Sequence, residues 1–175
     1  FSTELGLTVP YEAGRTFGRL QDDDAFADPE IDAASVGVIA AFMRDLGPPP
    51  RQPGAAGPDA LAGELVFVEL GCGGCHTPSL MGPDGPVPLF SDLLLHEILD
   101  DSATGIEEAG ASMREFRTAP LWGLAESAPY LHDGRADTLT EAIVGHAGEA
   151  AGVVRAWGAA TDSAQASLLA FLETL

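Results

Sequence analysis

Cys72-Gly73-Gly74-Cys75-His76 places two thiols and an imidazole side by side, and it uses the only two cysteines in the chain. At this spacing both thiols can bond to the vinyl groups of a haem while the adjacent histidine reaches its iron. The run therefore predicts one covalently attached haem c. Paired cysteines also serve as redox dithiols or as half of a zinc site. The first would sit in a βαβ pattern and the second would need a further Cys/His cluster at zinc spacing, and the sequence offers neither.

What such a haem can do depends on the sixth iron position, because a filled position favours electron transfer and an open one permits peroxide chemistry. The first candidate is His146. Thr138 and Glu141 form a capping box, and Leu139, Ala142, Ile143 and His146 then share one helical face, which puts the imidazole on an apolar stripe. His96, His132, Met81 and Met113 stand as alternatives.

These residues need elements to position them. The helix leading into the haem motif carries Leu61, Leu65 and Val68 along one face, with Gly63 and Phe67 one turn apart on an adjacent face. A glycine there allows another helix to approach closely, and the ring one turn on can wedge into the crossing. The expected partner is the C-terminal helix, capped by Thr161 or Asp162, with Ala164, Leu168, Phe171, Leu172 and Leu175 as one apolar stripe. A further helix is predicted from about Pro29 to Leu46, with Asp28 as its cap and Pro29 at its first position. The Pro/Gly-rich run that follows, to Pro58, reads as a linker. Thr77 to Leu89, with four prolines and two glycines, reads as a wrapping loop, and a short helix is expected from Ser91 or Asp92 through Leu99. No useful period-two alternation appears. The predicted class is mainly α: a cytochrome c-like single-haem domain at 58–175, with an N-terminal helical and loop extension and linker at 1–57.

The 175 residues, 46% apolar, suffice for one such domain plus an extension. Twenty-seven acidic residues face eight arginines and no lysine, a net charge of −19. That balance argues against nucleic acid as a partner and favours solubility over steering toward a basic redox partner. Asp22-Asp23-Asp24 and Glu107-Glu108 read as solvated loops. No run of 18 or more apolar residues is present to span a membrane. The chain begins at Phe1 without a leader segment and reads as a processed or truncated product; thioether attachment and the lack of spare thiols suggest a periplasmic or otherwise exported protein.

Longer motifs carry a resemblance. Ser91-Asp92-Leu93-Leu94-Leu95-His96, Phe116-Arg117-Thr118-Ala119-Pro120-Leu121-Trp122-Gly123-Leu124, Pro129-Tyr130-Leu131-His132-Asp133-Gly134-Arg135-Ala136, Thr138-Leu139 with Glu141-Ala142-Ile143, and His146-Ala147-Gly148-Glu149-Ala150 occur in that order. Together they resemble the C-terminal haem domain of the di-haem oxidoreductases related to bacterial cytochrome c peroxidases and MauG-type enzymes, over about Leu61 to Leu175. The resemblance implies that Cys72 and Cys75 link the haem and that His76 is the proximal ligand. It implies His146 as the distal ligand, where relatives place methionine or tyrosine, and hence low-spin bis-histidine iron. It places His132 beside the haem, Arg117 and Arg135 as propionate partners, and Trp122 near the porphyrin edge, although a core position would also account for that indole; Trp157 is expected in the core alone. Members of that family carry two Cys-x-x-Cys-His motifs and this chain carries one. The expected role is therefore single-electron transfer to or from a redox protein or a second haem domain, with peroxide reduction at an openable sixth position as the alternative.

Overall fold

The computed structural model describes residues 5–11, 14–16, 20–100, 105, 107 and 110–175, so Phe1 and Glu108 lie outside the described residues. The chain divides into two compact units, 1–47 and 48–175. As expected, the fold is mainly α, and among the described residues the strands form three two-stranded antiparallel pairs.

In the first unit, β1 (Arg15–Thr16) pairs with β2 (Leu20–Gln21), and α1 spans Ala33–Asp45. The helix starts later than the sequence suggests, and Asp32, not Asp28, caps it by accepting from the Ser35 N–H at 2.7 Å. Buried Thr8 explains the delay. Its hydroxyl donates to Asp28 Oδ1 (2.6 Å) and accepts from the Glu30 N–H (3.0 Å), while its own N–H donates to Glu30 Oε2 (2.9 Å). Residues 28–30 are thereby committed to Thr8, and the first free cap is Asp32.

The second unit is built on the crossing of α2 (Pro58–Glu69) with α5 (Asp162–Leu172). Gly63 makes the crossing possible: a Cβ there would overlap the Ser167 carbonyl oxygen and stand 2.7 Å from Phe171 Cβ. Phe67 then reaches into the joint, edge-on to Phe171 (centroids 5.4 Å apart) and Phe90 (6.0 Å). Leu168, Phe171, Leu172 and Leu175 are buried with Phe67, Phe90 and Trp157 as one core, the anticipated C-terminal stripe. The Thr161 side chain caps α5 through the Ala164 N–H. On α2 the buried face is Ala60, Gly63 and Phe67, whereas Leu61, Leu65 and Val68 are more than half exposed. Small residues permit the close approach that leucines would block, so the bulkier stripe faces away from α5. Residues of the Pro/Gly-rich stretch lie against this core: the Arg51 guanidinium stands over the Phe171 ring (5.2 Å) and donates to Thr174 Oγ1 (2.6 Å).

Between the two helices the expectations partly fail. The loop Thr77–Leu89 contains a hairpin of β3 (Leu80–Gly82) and β4 (Gly85–Val87), turned through Pro83-Asp84. The helix expected from Ser91 or Asp92 is not formed. Phe90 and Leu93 adopt positive φ (51° and 61°), the Ser91 hydroxyl donates to the Thr118 carbonyl (2.7 Å) and accepts from the Leu93 N–H (2.9 Å), and Asp92 Oδ1 accepts from the Leu94 N–H (2.9 Å). These side-chain bonds compete with the helical ladder. The chain continues as β5 (Leu95–Glu97), paired with β6 (Glu115–Arg117) in the register Leu95↔Arg117, His96↔Phe116 and Glu97↔Glu115. Three pieces close the unit: α3 (Leu139–Val144), α4 (Ala151–Ala159) with Trp157 buried as expected, and α5. Among the described residues no helix is long and apolar enough to cross a membrane.

Candidate functional site

The Cys-x-x-Cys-His run forms the turn that follows α2. Gly71, at φ +93°, reverses the chain after Leu70, a single 3-10 turn spans Cys72–Gly74, and the His76 N–H donates to the Cys72 carbonyl (3.0 Å). The two thiols form no disulfide with each other, and both are half-buried. Burial pushes the Cys72 thiol up to about 11, and burial, followed by the charges of Asp92 and Glu149, raises that of Cys75. A dithiol redox pair works through a thiolate of depressed pKa, so the environment runs against that use.

His76 Nδ1 lies 2.9 Å from the Phe90 carbonyl. A carbonyl only accepts, so Nδ1 carries the proton and Nε2 presents its lone pair. Burial, partly offset by the bond to Phe90, pulls the imidazole below the ordinary histidine range and keeps it neutral, the state a metal ligand requires.

The capping box at Thr138 and Glu141 forms as read: Thr138 Oγ1 accepts from the Glu141 N–H (3.1 Å), and Glu141 Oε2 accepts from the Thr138 N–H (3.0 Å). The helix it starts is shorter than expected. It ends at Val144 with Gly145 as its C-cap, so His146 stands just past the helix, not on its face. The ring folds back and its Nδ1 donates to the Ala142 carbonyl (2.7 Å). His146 thus repeats the arrangement of His76, with Nδ1 satisfied by backbone and Nε2 available.

The alternatives fare differently. His96 has both nitrogens occupied, Nε2 by Asp92 Oδ2 (2.7 Å) and Nδ1 by Glu149 Oε2 (3.1 Å). These bonds, to Glu149 and then to Asp92, raise its pKa and stabilise the imidazolium, which has no lone pair for iron. Exposed His132 packs on the Phe116 ring, centroids 4.4 Å apart. Met81 and Met113 are 80% and 49% exposed.

Arg117 is exposed on β6, and Arg135 donates from Nε to both carboxylate oxygens of Asp133 (2.9 and 2.8 Å) within the His-Asp-Gly turn. Trp122 lies at the surface, not in the core, and its indole N–H donates to the Pro88 carbonyl (2.8 Å). Three participants escaped the sequence reading. The Phe90 carbonyl leaves no side-chain signal, whereas Asp92 and Glu149 were visible within motifs but without an assigned partner. The donor set as a whole, two thiols at attachment spacing and two imidazoles whose Nδ1 atoms are taken by main-chain carbonyls, fits a covalently held haem.

The family described as "Di-haem oxidoreductase, putative peroxidase" matches residues 11–175. Among solved structures, hydrazine synthase of Kuenenia stuttgartiensis is 20% identical with a TM-score of 0.57, the match covering 82% of this chain and 55% of that one. A MauG-like protein associated with microbial copper homeostasis is 24% identical with a TM-score of 0.58, covering 86% and 55% respectively. At these identities the likeness concerns the fold, and the chain spans about half the length of either structure. No curated protein matches the chain.

Proposed function

Because the chain belongs to the di-haem oxidoreductase family and so serves haem-based redox chemistry, we propose that it passes single electrons through one haem c, which Cys72 and Cys75 would tether and His76 and His146 would ligate. When bound, the haem supplies the one-electron couple. The chain's own residues set its terms. The Phe90 carbonyl fixes the His76 tautomer and directs its Nε2 outward, and the Ala142 carbonyl does the same for His146. Two imidazoles favour oxidised iron more than a thioether would and lower the reduction potential. Arg117, Arg135, His132 and Trp122 are assigned to the edge of the cofactor; Arg135 would share its guanidinium between Asp133 and a propionate. The electron partner is a redox protein or a second haem domain, in an exported or periplasmic setting.

The observation that carries this reading is the matched pair of imidazoles, each tied at Nδ1 to a main-chain carbonyl. The test is the spectrum of the oxidised protein: low-spin and unchanged by peroxide or cyanide for a relay. A high-spin component that reacts with peroxide would replace the relay by the second reading, a peroxidase-type enzyme whose sixth position opens. The location of His146 in a loop, one residue past a helix cap, favours that second reading.

A further inference from the structure

The two segments that carry the imidazoles are joined by a carboxylate–imidazole–carboxylate bridge. On the His76 side, the Ser91 N–H donates to the Thr77 carbonyl (2.9 Å) and the Asp92 N–H to the Cys75 carbonyl (2.8 Å), so residues 90–92 lie against the haem motif. Asp92 Oδ2 then meets His96 Nε2, and His96 Nδ1 meets Glu149 Oε2. The other Glu149 oxygen accepts from the Glu97 N–H (2.8 Å). Glu149 follows His146 by three residues. Between them, the Ala147 N–H donates to the Ile98 carbonyl (2.8 Å), and Gly148, at φ +51°, packs so tightly on the Glu97 carbonyl that a Cβ would overlap it.

Beyond its own helix end, the loop is thus tied to the rest of the unit through Ala147 and the two oxygens of Glu149. A carboxylate that accepts both a main-chain N–H and a charged imidazole makes the stronger of these ties.

We infer that Asp92, His96 and Glu149 form a clamp that keeps the His146 loop on the iron, with Glu149 as the positioning residue that controls how often His146 leaves. The inference rests on His146 being the distal ligand. Glu149 touches neither the iron nor the cofactor; it acts through the loop. The clamp also joins the two ligand segments directly, so the separation of the imidazoles is set by side-chain bonds as well as by the helical core.

The test uses the whole chain with its haem attached and reads the rate at which cyanide enters the ferric iron, which departure of His146 limits. Glu149→Ala removes two of the three ties and should raise that rate by roughly tenfold or more. Glu149→Gln keeps an acceptor for the Glu97 N–H and should fall between the parent and Glu149→Ala. His96→Phe breaks the bridge from its centre and should also raise the rate; these two variants carry the test if Glu149→Ala does not fold. Rates within about twofold of the parent in all three would overturn the clamp. The underlying ligand reading is scored separately: if His146→Ala leaves the spectrum low-spin, the ligand assignment falls and the clamp falls with it. If His146→Ala turns the iron high-spin while the clamp variants leave cyanide entry unchanged, only the clamp is lost.

Discussion

Replacing Gly63 with Ala adds one methyl group at the point where α2 and α5 meet. On an isolated helix the change would stabilise by about 1 kcal/mol, since alanine has the better helix propensity. Here the new Cβ would overlap the Ser167 carbonyl oxygen and lie 2.7 Å from Phe171 Cβ, where carbon atoms prefer about 3.5–4.0 Å. Both obstacles belong to the neighbouring helix close to its backbone, so no side-chain rotation relieves them and the helices must separate by about 1 Å or more. Separation loosens Phe67, Leu168 and Phe171, each at most 2% exposed, in the part of the core where packing is tightest. Overpacking of this kind costs about 3 kcal/mol, the upper part of the usual range, which leaves a net loss of about 2 kcal/mol after the propensity gain. Thermal unfolding of the haem-loaded chain should then show a fall in Tm of roughly 5–10 °C for a unit of this size. Gly158→Ala, near the end of α4 with nothing within 4 Å of its added Cβ, is the control and should be neutral or slightly stabilising. A Gly63→Ala protein as stable as the parent would refute the argument that the crossing depends on a missing side chain.

Four further outcomes follow from the same structure. His146→Ala should convert low-spin to high-spin iron while the haem resists acid–acetone extraction, because attachment resides in the thiols; an unchanged spectrum would contradict the ligand assignment. The double variant Cys72→Ala with Cys75→Ala should release the haem to that extraction, and retention would contradict covalent linkage. Thr138→Ala removes the acceptor for the Glu141 N–H and should cost about 1 kcal/mol of stability, read by denaturant unfolding. Stability should also depend on pH through the clamp. Glu149 and then Asp92 raise the pKa of His96, so its contribution is complete below the ordinary histidine value and is lost as pH rises through the elevated one. Bonds from Glu97 and His96 lower the pKa of Glu149, and bonds from Leu94 and His96 outweigh burial in lowering that of Asp92, so their contributions are present above about pH 4 and fade as pH falls through the depressed values. His96→Phe should flatten the loss on the alkaline side, and an undiminished slope would show that another group titrates there.

The parts of the molecule that could be read in advance are those decided within one or two helical turns. The capping box at Thr138, the cap at Thr161, and the glycine and aromatic one turn apart on α2 all express local geometry, and each formed. The stretch from Thr77 to Leu99 was misread because its conformation is set by partners far along the chain. Ser91 bonds to Thr118, 27 residues away, and His96 to Glu149, 53 residues away. An apolar run such as Leu93-Leu94-Leu95 looks helical until Phe90 and Leu93 are seen at positive φ. His146 shows the same limit from the other direction, since the helical phase placed it on a helix face while the helix ended before reaching it. The misread segment supplies both the carbonyl that sets the His76 tautomer and two of the three side chains of the clamp. Phe90 stands just ahead of the expected helix, so its carbonyl would not join a ladder there; the positive φ at Phe90 turns it toward the imidazole. The turn at Phe90–Leu93 that interrupts the expected helix also aims the Phe90 carbonyl at His76, so strengthening the helical propensity of residues 91–99 should disturb the His76 hydrogen bond before it disturbs the α2–α5 core.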